Sequence, residues 1–339
     1  MSGKVLAWHA AAVRSLSGAR HEGRFPHALL IAGAPGVGKG ELSNRVATWL
    51  LCAAPGEELA ACGRCDQCRL GVSSDHPDLH RIAPLEDKRN IAVDQIRRLI
   101  TDLTLKPLRA DARVAIISPA ESMNSAAQNA LLKTLEEPVG TTYLMLLAAN
   151  PIRLLPTIRS RCQPLQLTVP DPATAAAWLA AEGPQGVDWA PLLQFTGGAP
   201  LAALALARDG VAEGLALDVL LRDLEEGILR LVEGRLDPAT VAERFAEVPL
   251  PMLLTWVQRL LHQLARAAAG LEAGSGAMRA ARFHKLLADI DLHGLYEYAD
   301  GVAALRGAED VPLNRQLTLE ALFAPWGRGL EPRSQFTEV

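Results

Sequence analysis

The stretch "HALLIAGAPGVGKG", residues 27–40, places an apolar run directly ahead of a glycine-rich loop that ends in Lys39 and Gly40. A short continuous apolar segment of this kind reads as a fully buried strand. In the loop, glycines let backbone N–H groups face phosphate, lysine supplies a point charge, and a closing serine or threonine hydroxyl binds Mg²⁺. Gly33, Gly36, Gly38 and Lys39 meet the first two needs, whereas Gly40 stands where the hydroxyl is required. Glycine near a helix start costs roughly 1 kcal/mol relative to alanine, so local stability does not explain it. A glycine-rich turn with no nucleotide history fits the same letters; the strand, loop and helix context favours a phosphate-binding loop.

The partner acidic pair of such a site belongs at the end of a later strand, where an aspartate helps hold Mg²⁺ and a glutamate prepares the attacking water. The strand is "VAIIS", residues 114–118, and Ser118 and Pro119 occupy those positions. Proline neither binds a cation nor accepts a proton. Glu121 lies past the strand end, where it suits the turn or the start of the next helix. Two metal contacts are therefore missing, and hydrolysis of ATP by the chain alone is not expected.

Outward from this region, short apolar strands alternate with amphipathic helices up to about residue 168, the pattern of an α/β domain with a mainly parallel sheet. Strands are expected at 27–33, 78–84, 112–119, 142–150 and 162–169. Helices are expected at about 39–51, at 92–103 with Val93, Ile96, Ile100 and Leu103 on one face, and at 125–138, where Pro138 ends the turn. Val5, Trp8, Ala12, Val13 and Leu16 share a further helical face. Strand signals stop after "VPDP" at 169–172. The expected organisation is an α/β domain at 1–168, a small helical lid at 169–208 and an all-α domain at 209–339, with the polar tail 331–339 frayed.

The 339 residues carry a formal net charge of -4, which provides no global positive field for nucleic acid or an anionic membrane. Only 4% of the residues are aromatic, so aliphatic packing and much helix are expected, and no stacking platform for bases accompanies the basic residues. No apolar run reaches the roughly 18 residues of a membrane span. His9 and Arg14 make the opening residues a poor signal peptide. A soluble cytoplasmic protein is expected.

Four of the five cysteines, Cys52, Cys62, Cys65 and Cys68, crowd into one short segment. In a reducing compartment such clustering favours metal over disulfides. Thiolates two residues apart can reach one Zn²⁺ from a tight turn while Cys52 returns from the preceding helix end. An iron–sulfur cluster of ferredoxin type wants a further cysteine before proline, where Val72 stands. Ordinary free thiols are the remaining alternative. Four protein ligands leave no open position for water, so the ion is structural. In "IRSRC", residues 158–162, arginine offers a planar fork matched to phosphate oxygens; a solvated arginine near a helix end is the plainer account. Cys162, with no base identifiable beside it, reads as a packed thiol.

Taken together, "HALLIAGAPGVGKG", the four-cysteine insert, "NALLKTLEEP" (129–138) and "SRC" (160–162) resemble the clamp-loader branch of the AAA+ ATPases. The resemblance covers the first domain, while the helical remainder agrees in length and character without a sharp motif. It implies a nucleotide-binding-type α/β domain, a small helical domain and a helical collar in a hetero-pentameric ring. The other members are gamma/tau-type ATPase subunits and a delta subunit, within a bacterial DNA polymerase III holoenzyme, a nucleotidyltransferase assembly. The ring loads a sliding clamp onto primed DNA, and this chain would meet both mainly through the complex. By the same resemblance Arg161 is an arginine finger offered in trans to a neighbour's ATP, Cys52, Cys62, Cys65 and Cys68 hold structural Zn²⁺, and the chain is a non-hydrolysing stator. Pro200 in "GGAPLAA" stands where motor subunits carry a nucleotide-sensing arginine. An active gamma/tau-type ATPase is the alternative; it should show a closing hydroxyl and an Asp-Glu pair, and neither is present.

Overall fold

Five short strands pair side by side, all running in one direction, in the order β2-β3-β4-β1-β5. They are β1 (Ala28–Ala32), β2 (Leu79–Ile82), β3 (Arg113–Ile117), β4 (Thr142–Ala148) and β5 (Gln163–Gln166). The computed structural model describes residues 5–72, 76–85, 88, 90–212, 217–269, 287–288, 290–307 and 314–331. The chain divides into two compact units, Met1–Trp178 with Gly198–Ala202, and Leu179–Gly197 with Ala203–Val339.

In the first unit the period-two alternation of strand side chains builds two cores, one on each face of the sheet. Leu29, Ile31, Val114, Ile116, Met145 and Leu147 pack on one face, against α1 (Ala10–His21) and α2 (Lys39–Leu51). Ala28, Leu30, Ala115, Ile117, Leu144 and Leu146 pack on the other, against α4 (Val93–Thr104), α5 (Ser125–Glu136) and α6 (Pro156–Arg159). Between them in the chain lies the short helix α3 (Asp66–Val72). The α/β class with a parallel sheet follows the sequence reading.

Details depart from it for local reasons. The first helix opens as a 3-10 turn at Ala7–His9 before α1 begins. On α4 the fully buried stripe is Ile96, Leu99 and Leu103, with Val93 and Ile100 only half-buried at its margins. Residues three and four apart share a helix face, and this stripe is rotated by part of a turn from the expected one. β5 is shorter than expected and contains Pro164; it is an edge strand, where a missing ladder donor is tolerated. Asn124 caps α5, its side chain accepting from the Ala127 N–H at 2.8 Å.

Beyond β5 the described residues hold no further strand. The helices there are α7 (Pro172–Glu182), α8 (Trp189–Phe195), α9 (Pro200–Ala212), α10 (Leu217–Val232), α11 (Pro238–Arg244), α12 (Leu250–Ala268), α13 (Leu292–Gly307) and α14 (Arg315–Phe323). The second unit buries Trp256, Phe245, Phe323 and Trp326 completely, so the scarce aromatics serve its core. Tyr298 is buried there with its hydroxyl donating to the Leu322 carbonyl and accepting from Trp326 Nε1. The expected frayed tail, apart from Glu331, lies outside the described residues. No single helix among the described residues is long and apolar enough to cross a membrane.

One polar group holds the loop between α4 and β3. Asp78 is fully buried, its carboxylate accepting from the N–H groups of Leu108, Arg109 and Ala110 at 2.7, 2.8 and 2.9 Å, with Arg113 Nη2 at 4.0 Å. Burial pushes the carboxyl pKa up, but the three N–H donors and Arg113 outweigh it and leave it below its ordinary value. Asp78→Ala strands those donors and the Arg113 charge and is expected to lower unfolding free energy by about 3 kcal/mol, read from urea denaturation. Because the folded pKa is the depressed one, wild type should keep its advantage above about pH 4 and lose it as pH falls further.

Candidate functional site

The phosphate-loop sequence connects β1 to α2 at the C-terminal edge of the sheet. Gly36 and Gly38 adopt left-handed conformations, with φ of 79° and 93°, which glycine reaches without steric cost. Both are also closely covered. A Cβ on Gly36 would lie 2.4 Å from the Cβ of Ala202, and one on Gly38 would lie 2.7 Å from His9 Cε1. The first turn of α9 sits on the loop, with the Leu201 N–H donating to the Gly36 carbonyl at 3.1 Å. The Val37 carbonyl is met by Trp8 Nε1 at 2.9 Å and His9 Nε2 at 2.8 Å. Burial holds the His9 pKa below its usual value, so the ring is neutral and donates from Nε2.

Lys39 turns back on its own loop, Nζ donating to the carbonyls of Gly33 at 2.8 Å and Ala34 at 3.0 Å. Burial pulls its pKa down, and the Glu121 carboxylate partly offsets this. Gly40 is the second residue of α2, and a Cβ there would meet nothing within 4 Å. Space for a hydroxyl side chain exists; the side chain does not. Ser118 and Pro119 follow β3 at the same sheet edge. Glu121 serves neither the turn nor a helix start: its Oε1 accepts from the N–H groups of Ala149 at 2.7 Å and Asn150 at 3.1 Å, past the end of β4.

Arg161 lies at the other edge. Since β5 runs parallel to β1 with Leu29 level with Gln163, Arg161 is level with His27, while the loop begins at Gly33. Six residues of extended chain separate the two levels, about 20 Å. The segment holding Arg161 is backed by α5. Buried Gln128 accepts from the Leu155 N–H at 2.8 Å and donates to the Met123 carbonyl at 3.0 Å, and Leu154, Ile158 and Cys162 pack with Leu131 and Leu135. Arg161 Nη1 donates to the Thr157 carbonyl at 3.0 Å, and Nη2 meets Glu136 Oε1 at 2.5 Å. About a third of the Arg161 side chain stays exposed (34%); Arg159 and Ser160 are exposed too. Cys162 is buried in the core and burial raises its thiol to about 11, which makes it packing rather than a nucleophile.

The four clustered cysteines converge. Their sulfurs all lie within 4.8 Å of one another. The closer pairs are Cys65–Cys68 at 3.4 Å, Cys52–Cys68 at 3.6 Å, Cys62–Cys68 at 3.9 Å and Cys52–Cys65 at 4.0 Å. A disulfide needs about 2 Å; a tetrahedron of thiolates around one ion, at about 2.3 Å each, needs sulfurs about 3.8 Å apart. Backbone N–H groups of Ala54 and Cys62 point at Cys52 Sγ, and that of Cys68 at Cys65 Sγ, bonds that favour thiolate. The Arg64 and Cys65 N–H groups pull the Cys62 thiol down to about 6, while burial pushes Cys68 up to about 12. This group can hold a metal ion, and it is built from the Cys52 end of α2 and the turn entering α3. Gln67 on α3 ties it onward, donating to the Arg109 carbonyl at 2.6 Å and meeting His76 Nε2 at 2.9 Å.

Sequence patterns missed Glu136, Gln128 and the α9 contact. Glu136 lies inside "NALLKTLEEP", where an acid at a helix C-terminus, disfavoured by the macrodipole, was the available signal; Gln128, one residue ahead of that stretch, offered none. The contact between Gly36 and Ala202 had none.

A parallel α/β sheet with a phosphate-loop sequence after the interior strand β1, and a helical remainder, define a protein of the phosphate-loop α/β class. A family model described as DNA polymerase III, delta subunit, matches residues 8–171. DNA polymerase III subunit delta' of Pseudomonas aeruginosa is 37% identical over 254 residues, 74% of each chain. The protein of the same name from Escherichia coli is 37% identical over 205 residues, 58% of this chain and 61% of that one. A DNA polymerase III gamma-subunit-related protein of Thermotoga maritima is similar in structure, with TM-score 0.48 and 17% identity over 94% of this chain and 99% of that chain. The chain belongs to the DNA polymerase III subunit delta' family.

Proposed function

We propose that this chain is a clamp-loader subunit that hydrolyses no ATP itself and lends Arg161 to ATP held by an adjacent ATPase subunit. One observation carries the reading: the phosphate-loop sequence and Arg161 lie at opposite edges of one parallel sheet, about 20 Å apart along the strands. No side-chain rotation brings the guanidinium to the chain's own loop, so any phosphate it meets belongs to another molecule. Relatives named DNA polymerase III subunit delta' supply the setting. In it the partners are gamma/tau-type subunits and a delta subunit in a five-membered ring, with sliding clamp and primed DNA reached through the complex, in the cytoplasm. Residues 169–208 then act as a lid and 209–339 as a collar.

The loop itself is a degenerate one. Gly33, Gly36, Gly38 and Lys39 are retained, but Lys39 is spent on two loop carbonyls, Gly40 brings no metal ligand, and neither Ser118 nor Pro119 replaces the acidic pair. A neighbour's γ-phosphate gains from Arg161 what arginine fingers supply in phosphoryl transfer, charge neutralisation worth about 10³ to 10⁵ in rate. In a loader reconstituted with Arg161→Ala, the ring should assemble normally. Single-turnover hydrolysis at the adjacent site, stimulated by clamp and primed DNA, should slow by about 10³-fold. An unchanged rate removes the finger assignment.

Cys52, Cys62, Cys65 and Cys68 are the ligands of a structural Zn²⁺ in this reading, since soft tetrahedral sulfur donors with no open position suit zinc. Elemental analysis of purified protein should find one zinc per chain and no iron. Cys68→Ser should lose the metal and lower the melting temperature, by roughly 2–4 °C for each kcal/mol lost in a domain of this size. Iron in stoichiometric amount, or full zinc retention by that variant, contradicts the assignment.

A further inference from the structure

We propose that Glu136 is the positioning residue of Arg161, fixing the guanidinium in the plane from which it meets a neighbour's phosphate. The inference rests on the finger reading above and adds a residue to it. Glu136 is the last residue of α5, where the helix dipole disfavours a carboxylate. Local helix stability therefore gives no reason for an acid at this point, and the Arg161 charge does. Nη2 meets Glu136 Oε1 at 2.5 Å and Nη1 donates to the Thr157 carbonyl at 3.0 Å. The two anchors belong to different helices, and two contacts on different nitrogens hold the plane of the fork where one would leave it free to turn.

The anchor is itself rigid. α5 is capped by Asn124, grips the Leu155 N–H through Gln128, and buries Ala127, Leu131 and Leu135 in the core that holds Ile158 and Cys162. His27 Nε2 meets the Leu135 carbonyl at 2.9 Å and ties the end of the helix to the start of β1. A guanidinium has five N–H donors, so two tethers leave others for phosphate. An arginine held this way loses little freedom when the transition state forms, and misplacement of a catalytic group by about 1 Å costs up to about 100-fold.

Glu137 is the internal control: it carries the same charge one residue on, is exposed, and makes no ion pair among the described residues. The test uses the loader reconstituted from full-length subunits with clamp and primed DNA, reading single-turnover hydrolysis at saturating ATP, the KM for ATP, and ring assembly by size. Glu136→Ala should slow the chemical step about 10- to 100-fold, less than Arg161→Ala, with KM and assembly unchanged. Glu136→Asp, which keeps the charge but withdraws it by one methylene, should fall with it, and so serves if the alanine variant folds poorly. Glu136→Gln, which keeps an acceptor in place, should recover most of the rate, and Glu137→Ala should match wild type. If Arg161→Ala slows hydrolysis but Glu136→Ala and Glu136→Asp do not, the positioning role is wrong and the finger stands. If Arg161→Ala changes nothing, the finger reading fails and takes this one with it. A faster rate in Glu136→Ala would make the carboxylate a latch and overturn the proposal.

Discussion

The parallel pairing of β1 with β4 on one side and β5 on the other is the constraint on which the rest of the site depends. When every strand points the same way, each one delivers its following loop to a single edge, the usual place for ligands on such sheets. The glycine loop after β1, Ser118 and Pro119 after β3, and Ala149 and Asn150 after β4 all gather there. The same rule sends the segment before β5, with Arg161, to the opposite edge. α5 starts near the first edge and ends at the second, so one rigid helix contributes to both: Asn124 at its start, Glu136 at its end.

What happens at the two edges differs in charge and in satisfaction. At the first, positive charge is absorbed internally: Lys39 is bonded to two carbonyls of its own loop, and α9 closes on Gly36 so tightly that no Cβ fits. At the second, Arg161 is held at two points yet remains a third exposed. A lysine bound to carbonyls has to exchange those bonds before it meets phosphate. A tethered arginine with free donors does not. This contrast is what the proposed division of labour, with charge offered outward and none kept for a substrate, rests on.

Most of the α/β fold was legible in the sequence because buried parallel strands are continuous apolar runs and their helices carry a 3.6-residue stripe. β1, β3 and β4 fall on such runs, "ALLIA", "RVAII" and "TYLMLLA", while the half-polar β2, "LHRI", falls inside the expected 78–84. The cysteine group was legible too, since its spacing is local. What could not be read were pairings between distant residues: Asp78 with three N–H groups some thirty residues on, Ala202 with Gly36, and Glu136 with Arg161. Residue type records that a carboxylate needs partners; only the fold decides which. Glu121 illustrates this, for it was expected to serve its own turn and instead binds N–H groups beyond β4, the strand that follows α5.

The division of labour between the two edges is tested most directly by magnesium-dependent ATP hydrolysis of the purified chain without any partner subunit. That division predicts turnover no higher than that of a protein-free control, because Gly40 brings no hydroxyl to the loop and Ser118 and Pro119 bring no carboxylate to hold metal or prepare water. Sustained hydrolysis by the lone chain at the pace of a working ATPase, abolished by Lys39→Ala, would contradict it.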